Sequence, residues 1–138
     1  LTGIWRIFME EGEAMSERYS ITDRTPPHSI EAERAVLGAV FLDPECLMDL
    51  LDVLTDDAQL FYVAAHNCIW RAMLENYRKN RPVDTVTMLD TLSEQGDLEA
   101  IGGASYLADL SSAVPTSANH LHYARIVQQD ALRRYLIG

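Results

Sequence analysis

The strongest constraint on the fold is the recurrence of apolar residues every three or four positions, in one segment of the chain after another. This period matches the 3.6 residues of an α-helical turn, whereas strands alternate every second residue. Strand-like alternation is scarce throughout the sequence. The pattern therefore predicts an all-α fold. It is clearest in SIEAERAVLGAVFLDP, residues 29–44, whose apolar positions are Ile30, Val36, Leu37, Val40 and Phe41.

The start of this first helix carries its own signals. Ser29 is a favourable N-cap, because its hydroxyl can accept a hydrogen bond from an amide of the first turn. Glu31 and Glu33 then lie at the positive end of the helix dipole. Being two residues apart, they do not form an acid/base pair, and dipole stabilisation accounts for both without catalysis.

Five further helices are predicted, separated by Asp43-Pro44-Glu45, a polar break after Leu54, Asn80-Arg81-Pro82 with Asp84 as a cap, Gly96 with Gly102-Gly103, and Pro115. The last two helices are joined by Val114-Pro115-Thr116. Such a short connection favours an antiparallel hairpin. Apolar faces are predicted at Leu47, Leu50, Leu51 and Leu54 in the second helix, at Tyr62, Ala65, Ile69, Met73 and Tyr77 in the third, and at Val86, Leu89 and Leu92 in the fourth.

Charge and cysteine content restrict the class of protein. The 138 residues include 21 acidic and 11 basic side chains, a formal net charge of -10, which opposes binding to a phosphate backbone. Cys46 and Cys68 form no CxxC pattern, so neither a disulfide framework nor a zinc ribbon is expected. No apolar run reaches the roughly 20 residues that span a bilayer. We expect a cytoplasmic protein with no membrane contact.

The N-terminal residues differ from the rest. Glu10-Glu11-Gly12 could be translated from a purine-rich ribosome-binding sequence, so Met15 is our predicted natural start and residues 1–14 a translated leader. The alternative is a short helix around residues 4–9. Residues 16–27 are polar and end in two prolines, which is typical of a flexible arm. The domain prediction is thus an arm or leader over 1–27 and one folded domain over 28–138.

Chemical motifs are scarce. The sequence has no GxxxxGK[ST] loop, no GxSxG elbow and no HExxH pair. His66 with Cys68, and His120 with His122, stand two residues apart and would point to nearly opposite sides of a helix, which disfavours a metal site. We predict a core or capping role for His66 and a surface role for the other two histidines. The basic residues Arg78, Lys79 and Arg81 fit a helix C-terminus.

Five ordered strings carry a family resemblance: PPHSIEAERAVLGAVFLDP, LFYVAAHNCIWRAML, PVDTVTMLDTLSEQG, IGGASYLADLSSAVPTSAN and HYARIVQQDALRRYLI. They resemble the N-terminal domain of the bacterial replicative DNA helicase, the DnaB family, over roughly residues 26–138. The resemblance implies a small helical globule followed by a helical hairpin, about 103–137. It also implies that ATP and magnesium belong to a motor domain beyond Gly138, and that this chain itself is non-catalytic and binds no cofactor or metal.

The resemblance implies partners as well. Paired hairpins, as a trimer of dimers, would build the collar of a hexamer. The collar would dock the C-terminal domain of primase and, in some lineages, a helicase loader, without strong DNA binding of its own. Residues aligned with primase contact or modulation are Glu31, Tyr106 and Ile137. The residues predicted for the oligomer interface of the hairpin are Leu107, Leu110, Leu121, Ala124, Val127, Ala131 and Tyr135.

The sequence departs from the family pattern at one point, since the arginine pair Arg133-Arg134 comes one position early, which leaves the direction of these side chains open. Two other functions remain as alternatives. One is a stand-alone helical adaptor or regulator that dimerises through the same hairpin. The other is a helical-bundle enzyme that uses His66, Cys68 and nearby carboxylates.

Overall fold

The computed structural model describes residues 28–55 and 59–137, and this part of the chain is helical without strands. The all-α prediction is confirmed. The expectations for residues 1–27 lie outside the described residues. The helices are α1 (Ile30–Leu42), α2 (Cys46–Leu50), α3 (Ala64–Arg78), α4 (Thr85–Gln95), α5 (Gly103–Ser111) and α6 (His120–Ile137). Of these described helices, none is long and apolar enough to cross a bilayer.

Helix α1 organises the packing. It makes its main contacts with α6 and α5 and further contacts with α3 and α2, while α5 and α6 make few contacts with each other. The predicted hairpin is therefore held together chiefly through α1. Close approach is possible at Gly38, where a Cβ would lie 2.6 Å from the Leu110 carbonyl oxygen and 3.2 Å from the Ala113 Cβ.

The core forms around Trp70, which is fully buried and donates its indole N–H to the Thr55 carbonyl oxygen at 2.9 Å. A buried indole usually requires such a partner, because an unpaired polar group in an apolar interior is costly. Most of the apolar positions predicted from helical spacing lie in this core. Among them are Val36, Leu37, Val40, Leu47, Leu50, Leu54, Ile69, Met73 and Leu92.

Four predicted apolar positions differ from expectation. Ile30 is 45% exposed because it begins α1, and Val86 is 74% exposed because it lies two residues before buried Met88, on the opposite side of α4. Leu51 is partly exposed where α2 has ended. Tyr62 precedes the first residue of α3, so the helical phase assumed for it does not apply.

The helix ends follow local chemistry. The Ser29 hydroxyl accepts a hydrogen bond from the Ala32 amide at 3.2 Å, which confirms the predicted N-cap of α1. Asp84 caps α4 by accepting from the Thr87 amide at 2.7 Å. Gly96 ends α4 with a φ of 78°. The three positions were predictable because their partners lie within three or four residues.

Replacing Asp84 with alanine should lower the free energy of unfolding by about 1 kcal/mol at neutral pH, because the Thr87 amide loses its acceptor. The hydrogen bond from this amide holds the pKa of Asp84 below its ordinary value. The stabilisation is therefore present above the pKa of the unfolded chain and is lost as the pH falls through the lowered folded pKa. Urea unfolding of both proteins should show their difference shrinking towards acidic pH. Asp90→Ala, at an exposed position of the same helix, is the control, and an equal loss there would contradict the capping role.

Candidate protein-docking site

The most unusual polar group of the fold is the carboxylate of Glu33, which is 1% exposed although it stands in the first turn of α1. Its Oε2 accepts from the Tyr62 amide at 2.8 Å, and its Oε1 accepts from the Val63 amide at 3.2 Å. These two amides immediately precede α3. Glu33 thus satisfies donors at the N-terminus of α3, where the helix dipole also favours a negative charge.

The same carboxylate orients His66. His66 Nδ1 lies 2.8 Å from Glu33 Oε1, and its Nε2 contacts the Tyr106 hydroxyl. A carboxylate accepts, so we assign the ring proton to Nδ1, which leaves Nε2 to accept from the tyrosine O–H. The result is a continuous chain from α1 through α3 to α5. We call Glu33, His66 and Tyr106 the buried triad.

Tyr106 joins the buried triad to the surface. It is partly buried, its ring is nearly parallel to that of His66, which it meets through the hydroxyl with 5.8 Å between centroids, and the Arg34 guanidinium lies 5.5 Å from its centroid. Burial raises the pKa of the Tyr106 hydroxyl, although Arg34 acts in the opposite direction. The phenol therefore stays protonated and can donate to His66. Gly102 permits this placement, since a Cβ there would lie 2.9 Å from the Tyr106 Cβ.

A groove of about 380 Å³ lies beside Arg34, between α1, the connection that follows α5 and the first turns of α6. Arg34 lines this groove and also contacts the ring of Tyr106. Glu31 lines it too and is exposed. Arg34, a residue that the sequence patterns had not singled out, thus contributes both to the groove that Glu31 lines and to the contact with Tyr106, whose own side chain does not line the groove. The remaining lining residues are Ser29, Ala32, Ala35, Ala113, Val114, Tyr123 and Ile126.

Ile137, the third residue predicted for partner contact, is not part of this groove's described wall. It ends α6, and it lies 14 residues beyond Tyr123, about 21 Å along the helix axis at 1.5 Å per residue. Its side chain lies outside the described part of the chain. Of the three predicted contact residues, Glu31 lines the groove, Tyr106 contacts the groove residue Arg34, and Ile137 lies away from the groove along α6.

The predicted oligomer interface needs a correction. Leu107, Leu110, Ala124 and Val127 are at most 2% exposed and belong to the chain's own core, so they are not available to a second subunit in this fold. Their periodicity reflects packing against α1. Leu121 and Ala131 are partly buried and Tyr135 is 82% exposed, so these three remain as predicted interface residues.

The arginine pair near the end of α6 faces the body of the domain. Arg133 is 7% exposed and its guanidinium lies 3.5 Å from the Asp130 carboxylate. Arg134 donates to the Leu60 carbonyl oxygen at 2.8 Å and lies 5.7 Å from the centre of the Tyr62 ring. Both arginines therefore take part in packing α6 onto the preceding segments.

The histidine and cysteine alternative receives no support from the geometry. His66 is buried and its two ring nitrogens are taken by Glu33 and Tyr106, in agreement with the predicted core role. His120 is mostly buried rather than on the surface, with Nε2 3.1 Å from Asp49 Oδ2. Within residues 28–55 and 59–137, no group of three or more His, Cys, Asp or Glu side chains is arranged to hold a metal ion.

Comparison with known proteins gives the family. Residues 25–129, more than half of the chain, match the family model described as DnaB-like helicase N terminal domain. The chain belongs to this family. A structural match agrees: the crystal structure of the N-terminal domain of DnaB helicase from Mycobacterium tuberculosis has a TM-score of 0.78 and 41% sequence identity. That match covers 82% of this chain and 77% of the other.

Two replicative helicases show how much of a longer protein this DnaB-like domain corresponds to. The replicative DNA helicase DnaB of Geobacillus stearothermophilus is 50% identical over 123 residues, 89% of this chain and 26% of the relative. The replicative DNA helicase DnaC of Bacillus subtilis (strain 168) is 45% identical over 117 residues, 85% of this chain and 25% of the relative. The chain spans about a quarter of the length of these relatives.

Proposed function

We propose that this chain is the non-catalytic N-terminal domain of a cytoplasmic replicative DNA helicase, and that it docks primase while helping to assemble the helicase ring. Family membership supports the helicase context. The observation that carries the docking proposal is the surface of Glu31, Arg34 and Tyr106, which we call the docking surface. ATP binding and DNA unwinding belong to a longer parent protein, and a helicase loader is a further candidate partner.

The docking surface has the physical character of a protein contact. Tyrosine buries a large area with few rotatable bonds, and arginine combines charge with a planar face. The ring of Tyr106 is already held by His66 at its hydroxyl and by the guanidinium of Arg34. A partner therefore orders little at this point when it binds, which lowers the entropic cost of association.

Assembly would use a different part of the domain. Tyr135 is 82% exposed and Leu136 is 38% exposed on the last turn of α6. These residues lie at the opposite end of α6 from the groove. A ring that presents several docking surfaces raises the local concentration of the second and later contacts, so individually weak contacts with primase become effective.

Tyr106→Ala should weaken primase binding by about tenfold or more, because an aromatic anchor of an interface is lost. The measurement is titration of the 138-residue protein with the primase C-terminal domain, followed by fluorescence anisotropy. Tyr106→Phe keeps the ring but removes the bond to His66, so it should lower stability by about 1 kcal/mol and leave most of the affinity.

Tyr77→Ala is the matched control for this experiment, since Tyr77 is a partly buried tyrosine that packs against the core from α3. It should lower stability without changing primase affinity. Arg34→Ala tests the neighbouring side chain, and a loss of binding is expected there too. If Tyr106→Ala and Arg34→Ala both bind primase with wild-type affinity, and circular dichroism shows that both are folded, the docking proposal is contradicted.

A further inference from the structure

A second surface combines exposed apolar side chains with carboxylates and lies within residues 42–52, from the end of α1 through α2. Leu42 is 46% exposed, Met48 59% and Leu51 38%. Cys46, Leu47 and Leu50 of the same segment are buried on its inner side. The segment therefore shows apolar residues on both sides, and packing of the domain explains only the inner ones. We call the exposed set, with Asp43, Glu45, Asp49 and Asp52, the outer strip.

The outer strip has a helical register. Glu45 and Leu51, which flank α2, both have αR backbone angles, with φ of -63° and -67°. Met48 and Leu51 are three residues apart and thus neighbours on one side, while Glu45, Asp49 and Asp52 follow the same spacing in a stripe along one edge of that pair. The arrangement is an apolar stripe with an acidic stripe along its outer edge, and it differs from a solvated helix face because its largest side chains are uncharged.

The charge of the outer strip is one-sided. The sequence contains no lysine or arginine between Arg34 and Arg71. Helix α6, which packs on α2, brings His120 to the Asp49 carboxylate at 3.1 Å. It carries one arginine, Arg125, in its first two turns. Asp43, Glu45 and Asp52 are exposed, so the carboxylates here outnumber Arg125 and His120 together.

The charge and the apolar side chains of the outer strip indicate the class of partner that would bind it. A second copy would bring its own carboxylates against these, and a nucleic acid or an anionic membrane would be repelled in the same way. A basic amphipathic helix offers both requirements, apolar side chains for Leu42, Met48 and Leu51 and cations for the acidic stripe beside them. We propose that the outer strip docks a basic amphipathic helix of a partner protein. This site is separate from the docking surface and does not rest on its role.

The test uses the 138-residue protein and a fluorescein-labelled helical peptide of about 18 residues, with leucines along one face and lysines on the other. A comparison peptide carries glutamate in place of lysine. Anisotropy titration should show binding of the basic peptide and none of the acidic peptide, and the affinity should fall as salt is added. Equal binding of the two peptides, or no binding of either, would overturn the proposal.

Variants separate a specific site from general attraction to an acidic protein. Met48→Ser, and separately Glu45→Gln with Asp52→Asn, should each weaken binding about tenfold. Two controls lie on α4, and each should change the peptide affinity less than about twofold, as expected for substitutions outside an interface. Val86→Ser alters an apolar residue that is 74% exposed. Asp90→Asn with Glu94→Gln removes two exposed carboxylates.

Two outcomes would show that the outer strip binds a different kind of partner, and either would refute the proposal. One is a shift from dimer to monomer in sedimentation when Met48 is replaced by serine, which would point to a second copy. The other is binding to phosphatidylserine vesicles that depends on Met48. A failure of Tyr106→Ala to alter primase binding would leave the peptide result unaffected, so the two proposals fail independently.

Discussion

Replacing Glu33 with alanine is expected to lower the free energy of unfolding by about 3–5 kcal/mol, because three donors lose their acceptor and each unsatisfied buried donor costs about 1–3 kcal/mol. The substitution leaves the amides of Tyr62 and Val63 and the Nδ1 of His66 without their acceptor, and the His66 ring is fully buried. Since the free energy of unfolding of a small domain is only about 5–15 kcal/mol, the variant would retain little net stability.

Urea unfolding followed by circular dichroism measures this loss. Glu31→Ala is the matched control, because Glu31 is an exposed glutamate two residues earlier in the same first turn. Its removal should cost under about 1 kcal/mol, the usual value of an exposed carboxylate at a helix N-terminus. Glu33→Gln should fall between, since one amide oxygen can replace some of the lost acceptors. Equal losses for Glu33→Ala and Glu31→Ala would show that the buried triad contributes nothing to stability.

The second large effect is expected at Gly38, where valine should destabilise the domain by about 2–3 kcal/mol through overpacking. Glycine is ordinarily the poorer residue within a helix, so propensity alone predicts a small gain. The atoms packed against Gly38 reverse this expectation. A Cβ at this position would meet the carbonyl oxygen of Leu110 at 2.6 Å, and that oxygen belongs to the backbone of α5.

The measurement is again urea unfolding, and Ser93→Val, at an exposed position of α4, controls for helix propensity. Adding Ala113→Gly to Gly38→Val should recover little stability, because the closest obstacle is a backbone atom and not the Ala113 methyl group. Full recovery in the double variant would place the conflict at Ala113 instead. A Gly38→Val protein as stable as the wild type would show that α5 moves away without cost.

Features whose causes are local in the chain were predictable. The caps at Ser29 and Asp84 depend on amides three residues away, and helical spacing identified most of the core. Glu33 was interpreted as a dipole residue because its partners lie about 30 residues further along the chain. One sequence signal pointed to its burial: Glu33 stands three residues from both Ile30 and Val36, on the apolar side of the helix.

The candidate site was predictable only in part. Glu31 and Tyr106 came from the family resemblance, whereas the groove beside Glu31 and the contact between Arg34 and Tyr106 required the fold. Periodicity shows that one side of a helix is apolar, but it does not say whether a partner or the chain itself covers that side. This is why Leu107, Leu110, Ala124 and Val127 were assigned to an interface, although α5 and α6 use them for their own core.

The buried triad has a consequence for any partner that binds at Tyr106. The tyrosine hydroxyl is held through His66 by the carboxylate that also holds the amides preceding α3. A partner that recognises only the ordered tyrosine binds the folded state selectively and stabilises it by mass action. Binding energy and folding energy are then thermodynamically linked, so contact at α5 would suppress local opening at the start of α3.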